Sequence, residues 1–101
     1  MNVGVCQLHL RLPENHSLKG KRGVIKSLSG RIASHFRVTV AETEQQDAWQ
    51  RAVIAVGYLS NDPRHTAEVL SKVVDFVTAS RLDVELLDYK IEIIAIEGPD
   101  G

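Results

Sequence analysis

The sequence has little of several features that would point directly to a function. It holds a single cysteine, Cys6, in 101 residues, which excludes an internal disulfide and a zinc site made of several cysteines. No apolar run approaches the roughly 18 residues of a membrane helix, and the net charge of -1 provides no overall field for a charged partner. We expect one cytoplasmic domain over residues 1–97 and a disordered tail over 98–101.

Motifs for catalysis and metal binding are also missing. There is no Gly-x-Ser-x-Gly turn, no Ser/His/Asp grouping and no Walker loop. The four histidines, at positions 9, 16, 35 and 65, do not have the spacing of metal ligands. Cys6 and His9 lie three positions apart in a predicted strand and would therefore point to opposite faces. We expect no enzyme, no metal site and no cofactor.

The hydrophobic periodicity predicts six elements. Strands are expected over residues 3–12, 37–43, 49–59 and 84–96, and helices over 18–36 and 63–80. Ser17 and Asp62 are the expected N-caps, and Pro63 occupies the first helical position, where its missing N–H costs nothing. The order β-α-β-β-α-β predicts an α+β, ferredoxin-like βαββαβ sandwich. In this fold a four-stranded antiparallel sheet has both helices on one face.

The strand alternation predicts the content of each sheet face. Cys6 shares a face with Leu8, Leu10 and Leu12, which favours a small buried thiol over a nucleophile. The helix-free face is expected to hold apolar side chains at Val3, Val5, Val53, Leu59, Ile94 and Ile96. A surface of this kind usually marks an interface. One functional hypothesis is therefore a homodimeric protein-interaction or small-ligand-sensing module that uses the open sheet face.

A second hypothesis comes from the uneven distribution of charge. No acidic residue occurs from Asn15 to Ala41, although this segment contains six basic side chains: Lys19, Lys21, Arg22, Lys26, Arg31 and Arg37. Lys19, Arg22 and Lys26 are spaced i, i+3, i+7 and would line one side of the first helix. Such a row can hold phosphates without reading bases, and it can also be a solvated helix face. The nucleic-acid-binding candidates are Lys19, Lys21, Arg22 and Lys26, although Lys21 falls within the apolar arc by helical angle.

Two common modes of RNA recognition fit this sequence poorly. Gly20-Lys21-Arg22-Gly23 has the G-x-x-G pattern of a KH clamp, but such a clamp joins two helices, and no helix fits between Leu12 and Gly20. An RRM stacks bases on aromatic residues of its two middle strands. The open-face positions of the first and third strands hold no Phe or Tyr. Contact with the phosphates therefore remains as the expected mode of RNA binding.

Trp49 and Arg51 are the candidates for contact with a partner beside the basic helix. Trp and Arg dominate binding hot spots, which supports a surface role. The structural alternative is a Trp that caps one end of the core, with Arg51 paired to a neighbouring carboxylate.

Several short motifs together resemble one family. They are Val3-Gly4-Val5-Cys6, Ser17-Leu18-Lys19 followed by Lys21-Arg22, Val40-Ala41-Glu42, Gln46-Asp47 with Trp49-Gln50-Arg51, and Ser60-Asn61-Asp62. Over residues 3–96 the chain resembles the YlxP-like family of small bacterial proteins, a domain of unknown function (family five hundred and three). The resemblance implies a ferredoxin-like fold and a cytoplasmic protein without established catalytic activity. It also implies genes near those for translation and ribosome maturation, so the expected partner is structured RNA or a ribosomal particle.

Overall fold

The computed structural model describes residues 1–43, 49–80 and 83–98. It contains the six predicted elements in the predicted order: β1 (Asn2–Arg11), α1 (Leu18–Phe36), β2 (Thr39–Glu42), β3 (Arg51–Ser60), α2 (Pro63–Thr78) and β4 (Glu85–Ala95). The expected tail falls largely outside the described residues, since only Gly98 of 98–101 is among them. No helix in the described ranges combines the length and the apolarity needed to cross a membrane.

The four strands form one antiparallel sheet in the order β2-β3-β1-β4. The middle strands β1 and β3 are paired along their full length, from Asn2 opposite Ser60 to Arg11 opposite Arg51. Both helices pack on one face, as the ferredoxin-like prediction requires, with α1 over β2 and β3 and α2 over β1, β3 and β4. Neither described helix packs on the other face, which is the open face.

Alternation along β1 places the core as predicted. Cys6, Leu8 and Leu10 point towards the helices and are buried, and the predicted row ends at the buried Leu12. Ile25, Leu28 and Ile32 of α1 and Leu70, Val73 and Val77 of α2 complete this layer. Burial of these side chains supplies the main driving force for folding, roughly 25 cal/mol per Å² of apolar surface.

Both helix starts follow the predicted capping chemistry. The Ser17 hydroxyl accepts a hydrogen bond from the Gly20 N–H at 2.9 Å, and the Asp62 carboxylate accepts one from the Arg64 N–H at 2.9 Å. Each cap satisfies an N–H group that has no partner within its helix.

The bounds of β1 and β4 lie within one residue of the prediction, whereas β2 and β3 each begin two residues later than predicted. The predicted strand over 37–43 narrows to Thr39–Glu42, because Arg37 ends α1 in the left-handed conformation with φ of 55°. A β-branched pattern cannot reveal a left-handed cap at an arginine, since such caps are usually glycine. The predicted strand over 49–59 begins only at Arg51, and Trp49 and Gln50 form a turn before it.

Candidate functional site

The exposed face of α1 carries three of the four predicted nucleic-acid-binding residues. Lys19, Arg22 and Lys26 are all exposed, and they lie on the side of the helix away from the buried Ile25 and Ile32. With 3.6 residues per turn, positions three and four apart are neighbours on the helix surface. The structure therefore brings these three cations into one row along nearly two turns of α1.

None of these three cations forms an ion pair with a carboxylate of the described chain. The one ion pair among the described residues joins Arg11 to Glu85 at 3.5 Å, on the open face of the sheet. The helix itself contains no acidic residue. The row is thus a local positive surface on a protein with a net charge of -1, and it provides the electrostatic requirement for holding phosphates.

A shallow concavity of about 710 Å³ extends the positive surface towards α2. It is lined by Lys26, Ser27, Gly30, Arg31, Ser34, His35 and Phe76. The Arg31 guanidinium lies 5.5 Å from the centre of the Phe76 ring, and the His35 ring stacks on the same ring at 5.2 Å. Contact with an aromatic ring restrains the orientation of a guanidinium. Sequence reasoning missed this cluster, because only the packing of α1 against α2 brings Phe76 beside Arg31.

Small residues leave the helix backbone accessible between the cations. A Cβ at either Gly23 or Gly30 would meet no atom within 4 Å, so both positions open directly to solvent. A bulky ligand could therefore approach α1 closely between the long basic side chains.

Lys21 lies apart from the exposed row. Its side chain is only 4% exposed, and its ammonium donates a hydrogen bond to the carbonyl oxygen of Arg51 at 3.2 Å. The helical angle that placed Lys21 within the apolar arc accounts for this position, since the aliphatic stem packs inward and the charged end reaches a backbone acceptor. Lys21 therefore does not belong to the accessible surface for phosphates.

Trp49 is held next to the start of α1 by its backbone. The Asn15 side-chain amide donates to the carbonyl oxygens of Trp49, at 2.5 Å, and Ser17, at 2.7 Å. The Trp49 side chain is 54% exposed, so it is available at the surface and closes little of the core. The predicted role of Trp49 in partner contact stays a prediction, now located beside the N-terminal end of the basic row.

Arg51 points to the other side of the sheet. Its position opposite Arg11 places its side chain on the open face, whereas α1 packs on the opposite face. The Arg51 side chain therefore lies apart from the basic row of α1. The backbone carbonyl of Arg51 contributes to the site, because it accepts the hydrogen bond from the Lys21 ammonium.

Gln50 is a positioning residue that the sequence did not reveal. Its side-chain amide donates to the carbonyl oxygens of Pro13 and Asn15, each at 3.2 Å. The Leu12 N–H in turn donates to the Gln50 carbonyl at 2.9 Å. These bonds fix the segment between β1 and α1 against the start of β3, and no local pattern in the sequence predicts such long-range pairing.

Cys6 and the histidines do not form a reactive group in the described chain. Cys6 is fully buried, and desolvation raises the pKa of its thiol from 9.0 to about 11. The thiolate, which is the reactive form, is therefore strongly disfavoured. Within residues 1–43, 49–80 and 83–98, no three His, Cys, Asp or Glu side chains cluster so that they could hold a metal ion.

The open sheet face carries the predicted apolar side chains, of which Val3 and Val53 are half-buried. Val5, Leu59, Ile94 and Ile96 are exposed, and Leu59 is the most open of them at 63%. The two middle strands carry no Phe or Tyr on this face, as predicted, and their one aromatic ring there is the imidazole of His9. Tyr58 of β3 lies on the helix side and bonds the His65 ring at 3.0 Å. The Phe or Tyr platform on which an RRM stacks bases is therefore missing from these two strands, and the predicted homodimer through this face stays a prediction.

Fold and site together define a small α+β domain with a ferredoxin-like topology and a row of exposed cations on its first helix. The chain belongs to the family described as Protein of unknown function (DUF503), whose model matches residues 3–91. It is also similar to the Uncharacterized protein YlxP of Bacillus subtilis (strain 168). The two are 29% identical over 75 residues, which are 74% of this chain and 82% of the relative. The expected family is thus confirmed, and neither description names an activity.

Proposed function

We propose that this protein is a non-catalytic cytoplasmic protein that binds structured RNA, free or within a ribosomal particle. Lys19, Arg22 and Lys26 contact phosphates, and the bases are not read. The observation that carries the proposal is the row of three exposed cations on a helix without any acidic residue. The genomic neighbourhood that the family resemblance implies supports the same kind of partner.

Contact through phosphates fits the shape of the surface better than base recognition does. A convex helix with protruding Lys and Arg side chains can lie against the phosphates of an RNA helix, where recognition depends on backbone geometry. The concavity beside Lys26 adds Arg31 and His35 at one end of the row. Trp49 lies near the other end, where an exposed indole can stack on an unpaired base.

The salt dependence of binding tests this proposal. The double variant Arg22→Glu/Lys26→Glu is compared with Arg64→Glu/Lys72→Glu, which changes the net charge equally but alters exposed positions of α2. RNA affinity is measured by fluorescence anisotropy over a salt series, with a ribosomal RNA fragment as the probe. The plot of log K against log salt has a negative slope, and each lost phosphate contact makes it shallower by about 0.7 to 0.9.

We expect the α1 variant to lose affinity at low salt and about 1.4 to 1.8 units of slope, whereas the α2 variant keeps both its affinity and its slope. Equal losses in the two variants would show only a general charge effect and would contradict a site on α1. Unchanged binding in the α1 variant, with the fold intact by circular dichroism, would overturn the proposal.

A further inference from the structure

The two edges of the sheet differ strongly in length. β2 forms one edge with four residues, whereas β4 forms the other with eleven. β4 pairs with β1 on one side, and no described strand lies on its other side. A long free edge presents a row of backbone donors and acceptors that another strand can use, and short edge strands largely avoid this. The unprotected edge is therefore β4.

The backbone groups that face outward from β4 can be identified. The Ile96 N–H donates to the Met1 carbonyl at 2.8 Å, which makes these two residues a hydrogen-bonded pair. Such pairs alternate along an antiparallel ladder, so Tyr89, Ile91 and Ile93 direct their N–H and C=O groups away from β1. Consistent with this, the Tyr89 N–H bonds the carboxylate of Asp88 at 2.8 Å.

The side chains along this edge are apolar on one face and oppositely charged on the other. Tyr89, Ile91 and Ile93 point to the helix side, where Tyr89 is still 50% exposed. Lys90 and Glu92 point to the open face, where both are exposed. The side chains of β4 thus alternate between apolar and charged, and a further strand paired with β4 could continue both faces.

The geometry points to a second copy of this chain as the partner of the edge, with the two β4 strands antiparallel about a two-fold axis at Ile91. The four-stranded sheets then join into one sheet of eight strands. On the open face, Lys90 of each copy faces Glu92 of the other, so two opposite-charge pairs form. On the helix face, Tyr89 of each copy faces Ile93 of the other, an aromatic and β-branched pair of the kind that stabilises sheets.

Charge and strand geometry select this register over its neighbours. An axis at Lys90 would place lysine against lysine and Asp88 against Glu92, and an axis at Glu92 would place glutamate against glutamate. Like charges directly opposite each other destabilise a strand pair. An axis at Tyr89 would run the ladder into the irregularity after Asp88, where the pairing with β1 shifts and Leu87 has no partner. Only the axis at Ile91 combines opposite charges with a regular ladder.

The proposed dimer is independent of the RNA surface. α1 packs over β2 and β3, at the far side of the sheet from β4, so Lys19, Arg22 and Lys26 stay accessible in both copies. Pairing replaces the bond between Asp88 and the Tyr89 N–H by a bond to the second copy. Loss of the dimer would therefore leave RNA binding by a single chain intact, and the two proposals can fail separately.

A charge swap across the axis tests the proposal by sedimentation velocity, from about 1 µM to about 1 mM protein. Lys90→Glu places glutamate against Glu92, and Glu92→Lys places lysine against Lys90. Each single variant is expected to weaken the dimer about tenfold or more, because two attractive pairs become repulsive. The double variant Lys90→Glu/Glu92→Lys restores opposite charges and is expected to dimerise like the natural chain. Lys72→Glu on α2 is the control for net charge and is expected to change nothing.

Three results would overturn the proposal. The first is a natural chain that stays monomeric over the whole range. The second is a dimer that the single reversals do not weaken, or that the double swap does not restore. The third is a dimer that Leu59→Lys abolishes while Lys90→Glu leaves it intact, which would place the contact on the open sheet face. Circular dichroism of each variant confirms that the fold is retained.

Discussion

Lys19 and Lys21 are two positions apart on α1 and have different surroundings. Lys19 is exposed, whereas Lys21 is buried and bonded to the Arg51 carbonyl. Because position 19 is exposed, a charge of either sign there remains in contact with water. A negative charge at the second position would be buried next to a carbonyl oxygen, an arrangement that is strongly unfavourable.

Charge reversal should therefore have different effects on the free energy of unfolding at these two positions. We expect Lys21→Glu to lower the free energy of unfolding by about 3 kcal/mol or more, and Lys19→Glu to change it by no more than about 0.5 kcal/mol. Urea denaturation followed by circular dichroism measures both. Equal effects would contradict the buried role of Lys21.

Burial also determines the chemistry of Cys6. Because the folded state raises the pKa of this thiol to about 11, the folded chain retains the proton between about pH 9 and 11, while the unfolded chain loses it. The stability that this group contributes is thus complete below about pH 9 and falls as the pH rises towards 11, by up to about 3 kcal/mol. A Cys6→Ala variant should lack this part of the alkaline slope in urea denaturation.

The reactivity of the thiol gives a simpler check on Cys6. A thiol reagent at pH 8 should modify the protein only in denaturant, because the native side chain is fully buried. Rapid modification of the native protein would contradict this.

At the scale of the elements, one glycine controls how closely α2 approaches the sheet. A Cβ at Gly4 of β1 would overlap the Thr66 and Leu70 side chains of α2. The same contact contains a buried polar network, in which the Thr66 hydroxyl donates to the Asn2 side chain at 2.6 Å. Displacement of α2 would strain both the packing and these bonds.

We therefore expect Gly4→Ala to lower the free energy of unfolding by about 1 to 3 kcal/mol. Gly57→Ala on β3 is the matched control, since a Cβ there meets no atom within 4 Å. It should be neutral or slightly stabilising, because alanine costs less backbone entropy than glycine in a strand. Thermal denaturation compares the two, and an equal loss at both positions would contradict the close approach at Gly4.

The sequence predicted the elements better than the contacts between them. Alternation along β1 and the capping residues Ser17 and Asp62 act locally, and the structure has them as expected. The left-handed cap at Arg37 and the bonds of Gln50 depend on partners that are distant in the chain or on an uncommon backbone conformation. Local periodicity contains no information on either, and the same holds for the ring of Phe76 beside Arg31.

For the whole molecule, the distribution of charge matters more than its sum. The net charge of -1 conceals a basic α1 at one side of the sheet and a mainly acidic β4 at the other. A partner of uniform negative charge, such as a phosphate backbone, would therefore orient the protein so that α1 faces the phosphates and β4 faces away from them. This orientation would allow the proposed RNA contact and the proposed pairing at the β4 edge to occur together.

Sedimentation of a native cell lysate through a gradient tests the central claim most directly. At low salt we expect the natural protein to co-migrate with ribosomal particles or other large RNA, and at high salt to migrate as a small free species. The Arg22→Glu/Lys26→Glu variant should be free even at low salt, whereas Arg64→Glu/Lys72→Glu should behave like the natural protein. A natural protein that migrates as a small free species at both salt concentrations would contradict the account.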